Sequence, residues 1–110
     1  MREIKFRACS PLVKKMHYND KNLDLWEFLR YVHGMKLMQY TGLKDKNGVE
    51  IYEGDLLYKE LPNNRTYVVE YSNVSFRARG TTGYKNSVLR GVVLKDTEVI
   101  GNIHQNPELL

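Results

Sequence analysis

Sulfur chemistry is nearly absent from this sequence. Cys9 is the single cysteine in 110 residues, so no internal disulfide can form and no zinc-ligand spacing exists. A chain without disulfides suits a reducing compartment, and a cytoplasmic location is the expectation. Histidine is equally sparse. His17, His33 and His104 lie far apart, which leaves no cluster with metal-ligand spacing, and no metal is expected. Long apolar runs are missing too. Nothing approaches the ~20 residues that span a bilayer, so no membrane contact is expected. Residues 1–10 alternate charged and apolar side chains and lack the apolar core of a secretory signal. Without secretion, the sequons Asn64-Arg65-Thr66 and Asn73-Val74-Ser75 are chance matches. There is no G-x-G-x-x-G or Walker pattern, so neither nucleotide hydrolysis nor a cofactor is expected. Repeats, low-complexity segments and linkers are also missing.

What is present is a foldable composition. Hydrophobic residues make up 42% and charged residues 27%, close to the globular average. The length fits one domain with one main core. Eight tyrosines against three phenylalanines and one tryptophan tilt the reading towards pleated, half-buried surfaces.

The periodicity supports that tilt. Ile4, Phe6 and Ala8 alternate with Lys5 and Arg7, a period of two that marks a half-buried strand. Pro11 interrupts it, and residues 13–18 read as a second short strand. Residues 20–33 change period. Leu23, Trp26, Leu29 or Arg30, and His33 recur every three or four positions, and Leu25, Phe28 and Val32 widen that face. Asp20 or Asn22 can cap this helix, and Gly34 is placed to stop it. Residues 35–40 are again extended. Asn47-Gly48 then gives a strong hairpin signal, because both residues tolerate positive φ. After Gly54, strands at 56–61, 66–71, 74–79, 88–94 and 99–104 follow at spacings of about 8–12 residues, the last two as a hairpin turning at Asp96. The expected fold is mostly β, of α+β class. A small SH3-like antiparallel barrel over 49–110 follows an α+β part over 1–48 that carries one helix, all within a single domain.

Three segments carry a family likeness. They are Ile4-Lys5-Phe6-Arg7-Ala8, the run from Met38 through Thr41-Gly42-Leu43-Lys44-Asp45-Lys46-Asn47-Gly48 to Tyr52-Glu53-Gly54-Asp55, and Ile100-Gly101-Asn102-Ile103-His104-Gln105-Asn106-Pro107. Together they resemble the YopX family along the whole chain. The chain departs from that pattern at Cys9-Ser10, where the family has Trp-Asp, and at His104-Gln105, where it often has Tyr-Glu. The resemblance implies an origin in a phage or prophage of Gram-positive bacteria. It implies no activity and offers no catalytic residue.

The residues themselves give few candidates for chemistry. Cys9 and His17 lack any nucleophile signature, and Cys9 reads as a small packed hydrophobe. Glu53 and Asp55 flank Gly54 and could hold a cation or act as an acid/base pair. The simpler reading is a turn, with Asp55 bonded to nearby backbone N–H groups. No catalytic residue is expected, and the chain reads as a non-enzyme.

Charge is the sharper signal. Net charge is +4, but it is unevenly spread. Residues 1–19 and 61–95 are basic, residues 20–60 and 96–110 acidic. On an alternating strand Arg77 and Arg79 share one face, while Phe76 and Ala78 take the other. Same-face neighbours lie roughly 7 Å apart, comparable with the repeat of phosphates along a nucleic-acid strand. Lys5 and Arg7 repeat the pattern, and Arg65, Lys85 and Arg90 fall nearby in sequence. Tyr67, Tyr71 and Tyr84 could stack on bases. DNA or RNA is thus one expected partner. The plain alternative is a solvated strand face that blocks aggregation. A second functional reading is a self-assembling or protein-binding module, docking on another phage or host protein through Trp26 and Leu29 on the helix. The same helix face can also simply pack as core.

Overall fold

The computed structural model describes residues 4–19, 24–59, 65–72, 75–80, 87–88 and 96–110. In chain order the elements are β1 (Phe6–Cys9), β2 (Met16–Tyr18), α1 (Leu25–Tyr31), β3 (Lys36–Lys44), β4 (Glu50–Tyr52), β5 (Asp55–Lys59), β6 (Arg65–Ser72), β7 (Ser75–Gly80), β8 (Ser87–Val88) and β9 (Thr97–Asn102). A 3-10 turn, Pro107–Leu109, follows. The strands form two antiparallel sheets, ordered β2-β1-β3-β4 and β8-β7-β6-β5-β9. The mostly β, α+β class is therefore as expected. The larger sheet curls as a half barrel.

The first sheet is covered on one face by α1. Ala8 lies against Phe28 and Val32, with Phe6 and Met35 packed on the same cluster. Phe28 and Val32 are one helical turn apart and meet the sheet together. Burying Phe28 contributes about 1.5–3 kcal/mol. The helix cap falls at Asp24, whose Oδ1 accepts the Glu27 backbone N–H at 2.8 Å. That acceptor satisfies one of the first-turn donors. The expected caps Asp20 and Asn22 lie outside the described residues. Gly34, at φ +85°, follows the helix as expected.

The second sheet has its own core. Leu57, Val69, Phe76 and Ala78 pack with Ile51 from β4, and Leu43, Tyr67 and Val99 close round them. The register sets which residues share this face: Leu57 opposes Tyr67, Val69 opposes Ala78, and Tyr71 opposes Phe76. The alternation read from β7 is correct, with Phe76 and Ala78 inside.

The segment joining the sheets is built from the most specific stretch of the sequence. Gly42, at φ +86°, sits where the β3–β4 register shifts. Thr41 Oγ1 donates to the Ile51 carbonyl at 2.7 Å across that irregularity. At the Asn47-Gly48 turn, Asp45 accepts from the N–H groups of Asn47 and Val49 through Oδ1 and of Val99 through Oδ2, at 2.8–2.9 Å. One buried carboxylate thereby ties the hairpin to β9. Most of the first strand of the expected final hairpin, residues 89–94, lies outside the described residues. β9 pairs with β5, and β8 pairs with β7 at the opposite edge. A strand's non-local partner leaves no mark in local turn residues.

Candidate nucleic-acid interface

Arg77 and Arg79 are where the strand alternation places them. They share the face of β7 that turns away from Phe76 and Ala78. Glu70, directly opposite Arg77 on β6, accepts from Arg79 Nε at 3.1 Å. The pair is more than a third exposed on the arginine side, so its contribution to stability is small. Among the described residues the β6–β7 part of this face carries two guanidinium groups and one carboxylate.

The other expected members of the strip do not join it. Arg7 is buried, with 4% exposure. Its Nη2 donates to Asp55 Oδ1 at 2.6 Å and to the Glu53 carbonyl at 3.2 Å, and its guanidinium stacks 4.7 Å over the Tyr52 ring. Lys5 pairs with Glu50 and lies 5.1 Å over the Tyr40 ring. The physical reason is the position of β1, an inner strand between β2 and β3. The helix covers its Phe6/Ala8 row, and the second sheet supplies Asp55 to the Arg7 row. Arg65 opposes Lys59 and alternates onto the Tyr67 side of β6, away from Arg79. Tyr71 also lies on the opposite face, with its ring edge-on to Phe76 at 5.0 Å. Lys85, Arg90 and Tyr84 lie outside the described residues.

The helix reads differently from its sequence. Trp26 is 76% exposed and belongs to neither core cluster of the described residues, while Leu29 is half-buried. The core takes Phe28 and Val32 instead, because those two meet Ala8.

The acidic middle of the chain is spent internally. Asp55 Oδ2 accepts the Tyr52 N–H at 2.7 Å, and Glu53 Oε1 accepts the Gln39 N–H at 2.8 Å. The Glu53-Gly54-Asp55 run is thus a turn that joins the two sheets. Burial pushes the Asp55 carboxyl above its ordinary value, while Arg7 and the Tyr52 N–H oppose that rise. Burial chiefly, with Glu50 adding, pushes the Tyr52 phenol up to about 12. A cleft of about 270 Å³ beside these groups has Arg7 balanced by Asp55 and Glu50 in its walls. With Asp24, Asp45, Glu50, Glu53 and Asp55 all engaged, the lysines of the same stretch (Lys36, Lys44 and Lys46) are left exposed. Counting charge by segment missed this. The signal was available only through which carboxylates the turns require.

Cys9 is buried beside its strand neighbours. Among the described residues no group of His, Cys, Asp and Glu is placed to hold a metal ion, and no helix is long and apolar enough to cross a membrane.

The comparisons agree with this architecture. The family model described as YopX protein matches residues 4–110. The crystal structure of protein EF1440 from Enterococcus faecalis is similar, with a TM-score of 0.68 and 26% identity, over 100% of this chain and 99% of that one. The crystal structure of protein yopX from Bacillus subtilis shares the fold, with a TM-score of 0.63 and 21% identity over 96% and 97% of the two chains. Among curated proteins, none matches.

Proposed function

The chain belongs to the YopX protein family, and from its charged surface we propose that it is a small non-enzymatic, nucleic-acid-binding accessory protein, phage- or prophage-encoded and acting in the host cytoplasm. One observation carries this reading: Arg77 and Arg79 project side by side from β7, on the face away from its buried row. Guanidinium groups on a rigid strand suit phosphate oxygens, because the planar fork loses little freedom on bonding. Contacts of this kind bind phosphates rather than bases, so affinity falls with salt and sequence preference is weak.

The test is fluorescence anisotropy of labelled single- and double-stranded DNA and RNA at several salt concentrations. Arg77→Gln with Arg79→Gln is expected to weaken binding and flatten the salt dependence while the melting temperature stays near wild type. Undiminished binding by that variant would remove the arginine face from the account. No binding by the wild type at low salt would remove nucleic acid altogether.

A second reading rests on Trp26, whose 76% exposure suits a protein contact. In it the helix docks on a second copy or another protein. Light scattering across micromolar concentrations tests self-association, with Trp26→Ser expected to abolish any dimer. A strict monomer sinks self-assembly.

A further inference from the structure

Three clefts among the described residues differ in the charge of their walls. The one beside Arg7 and Asp55 is balanced. The second, about 210 Å³, runs between the sheets past Met38, His104 and Arg79, with Glu53 and Glu70 in its walls. The third, about 280 Å³, is bounded by Lys14, Lys36 and His104 with Ser10 and Ile103, and no carboxylate lines it. At about 30 Å³ per water, that volume holds roughly nine waters, ample for a phosphate and part of its hydration.

The backbone that carries Lys14 is held in place. Lys14 has φ +54°, uncommon for a residue with a side chain. Its N–H donates to the Ser10 carbonyl at 2.9 Å, and the Ser10 N–H donates to the Lys15 carbonyl at 3.0 Å. From the far end of the chain, Gln105 Nε2 donates to the Lys14 carbonyl at 2.8 Å. Gln105 is itself fixed, since its N–H donates to Asn102 Oδ1 and its Oε1 accepts from Asn102 Nδ2, both at 2.9 Å. The same Asn102 Oδ1 accepts the His104 N–H at 3.1 Å. Lys36 enters from β3, opposite Cys9. Among the described residues neither Lys14 nor Lys36 has an acidic partner. Burial first, then the charges of Arg7 and Lys36, hold the His104 imidazole below its ordinary value.

We propose that this cleft binds a phosphate group. It shares Ile103 and His104 with the second cleft, which reaches Arg79. The shared wall connects β7 with Lys36 and Lys14 past the Glu53 and Glu70 carboxylates, and the site is the second anchor of a phosphate track that starts at the arginines. This continuation rests on the nucleic-acid reading. The cleft itself does not, because a small phosphorylated ligand offers the same chemistry.

The experiment separates the two. Labelled single-stranded DNA is titrated against wild type and against Lys14→Asn with Lys36→Gln, the asparagine being chosen because it tolerates positive φ. Inorganic pyrophosphate is titrated in parallel, and the His104 ring resonances are followed by NMR from pH 5 to 8. His104 faces Arg7, Lys36 and Lys14 on one side and Arg79, Glu53 and Glu70 across the adjoining cleft. An added anion is expected to raise its titration point. For DNA the lysine variant is expected to lower the salt slope by about 1.4, two single-strand phosphates at about 0.7 each. An unchanged slope, with wild type still binding DNA, overturns the track and leaves the arginine face standing. A His104 response to pyrophosphate without any DNA binding overturns the nucleic-acid reading and keeps the cleft as a site for a small phosphorylated ligand. No response to either probe overturns both.

Discussion

The Arg7–Asp55 pair joins the two sheets. Arg7 comes from β1 and Asp55 from β5. Both are nearly inaccessible, and their closest approach is 2.6 Å. Removing one partner of such a pair costs about 3–5 kcal/mol, since the other charge stays buried and uncompensated. The two deletions are not equivalent. Arginine cannot shed its proton, so Asp55→Ala leaves a permanent buried cation and also orphans the Tyr52 N–H. In Arg7→Met the carboxyl can neutralise itself, and burial already pushes it that way. Asp55→Ala is therefore the more damaging change. At about 4–8 °C per kcal/mol for a domain near this size, a fall of roughly 12–40 °C in melting temperature is expected.

The pH dependence follows from the sign of the shift. With Arg7 gone, the folded-state value of Asp55 rises further above its unfolded value. Protonation then favours the folded chain, so Arg7→Met is stabilised as pH falls and loses that stability as pH rises through the folded-state value. The deficit of Arg7→Met against wild type should shrink from pH 7 towards pH 4, while that of Asp55→Ala should not. The double change Arg7→Met with Asp55→Ala removes both charges and should be less damaging than Asp55→Ala alone. Urea melts of the four proteins complete the cycle. Single changes that each cost under about 1 kcal/mol, adding to within about 0.5 kcal/mol in the double variant, would show that the pair does not sit at a dry junction.

Three further outcomes follow from the same geometry. Asp45→Ala removes the acceptor of three backbone N–H groups and should cost at least about 2 kcal/mol by denaturant melts, with Asp45→Asn costing less. Gly54→Ala should destabilise more than Gly48→Ala. Both sites need φ above +80°, a strain of about 1–2 kcal/mol, but a Cβ at Gly54 also comes within 3.2 Å of Met38 Sδ while Gly48 has open space. The Tyr52 phenol, up at about 12, stays neutral in the fold at pH values where an unfolded tyrosine ionises. Wild type should therefore lose stability between about pH 10 and 12 more steeply than Tyr52→Phe. Parallel alkaline melts would place the phenol in solvent instead.

Local structure was legible wherever one face of an element meets water. Phe76 and Ala78 against Arg77 and Arg79 read correctly because β7 keeps a wet row. The Asn47-Gly48 hairpin was legible, but only Gly48, at φ +81°, takes the left-handed conformation and Asn47 does not. The helix was recognisable, but its orientation was not. Its pattern offers two overlapping apolar faces, one through Trp26 and one through Phe28 and Val32. Ala8, remote in sequence, leaves room for the second. The partner of β9 was illegible for the same reason, since β5 lies about 40 residues earlier in the chain and no turn connects them. Lys14, Lys36 and His104 were invisible as a group because they sit on three separated segments.

Arg7 and Arg79 show what alternation alone cannot decide. Each occupies a polar position on an alternating strand, and each has a same-face basic neighbour. β1 has strands on both sides, a helix on one face and the second sheet on the other, so its polar row is enclosed and each cation requires a carboxylate. The chain supplies those carboxylates in Glu50 and Asp55, within the stretch that joins the sheets. β7 lies next to the two-residue strand β8 near the sheet edge, and its arginine row is covered by no helix among the described residues. Arg79 shares one exposed carboxylate and stays wet. An arginine latched at 2.6 Å inside a junction cannot meet a ligand without opening the fold, whereas one on a half-exposed strand face needs only to exchange Glu70 for a phosphate.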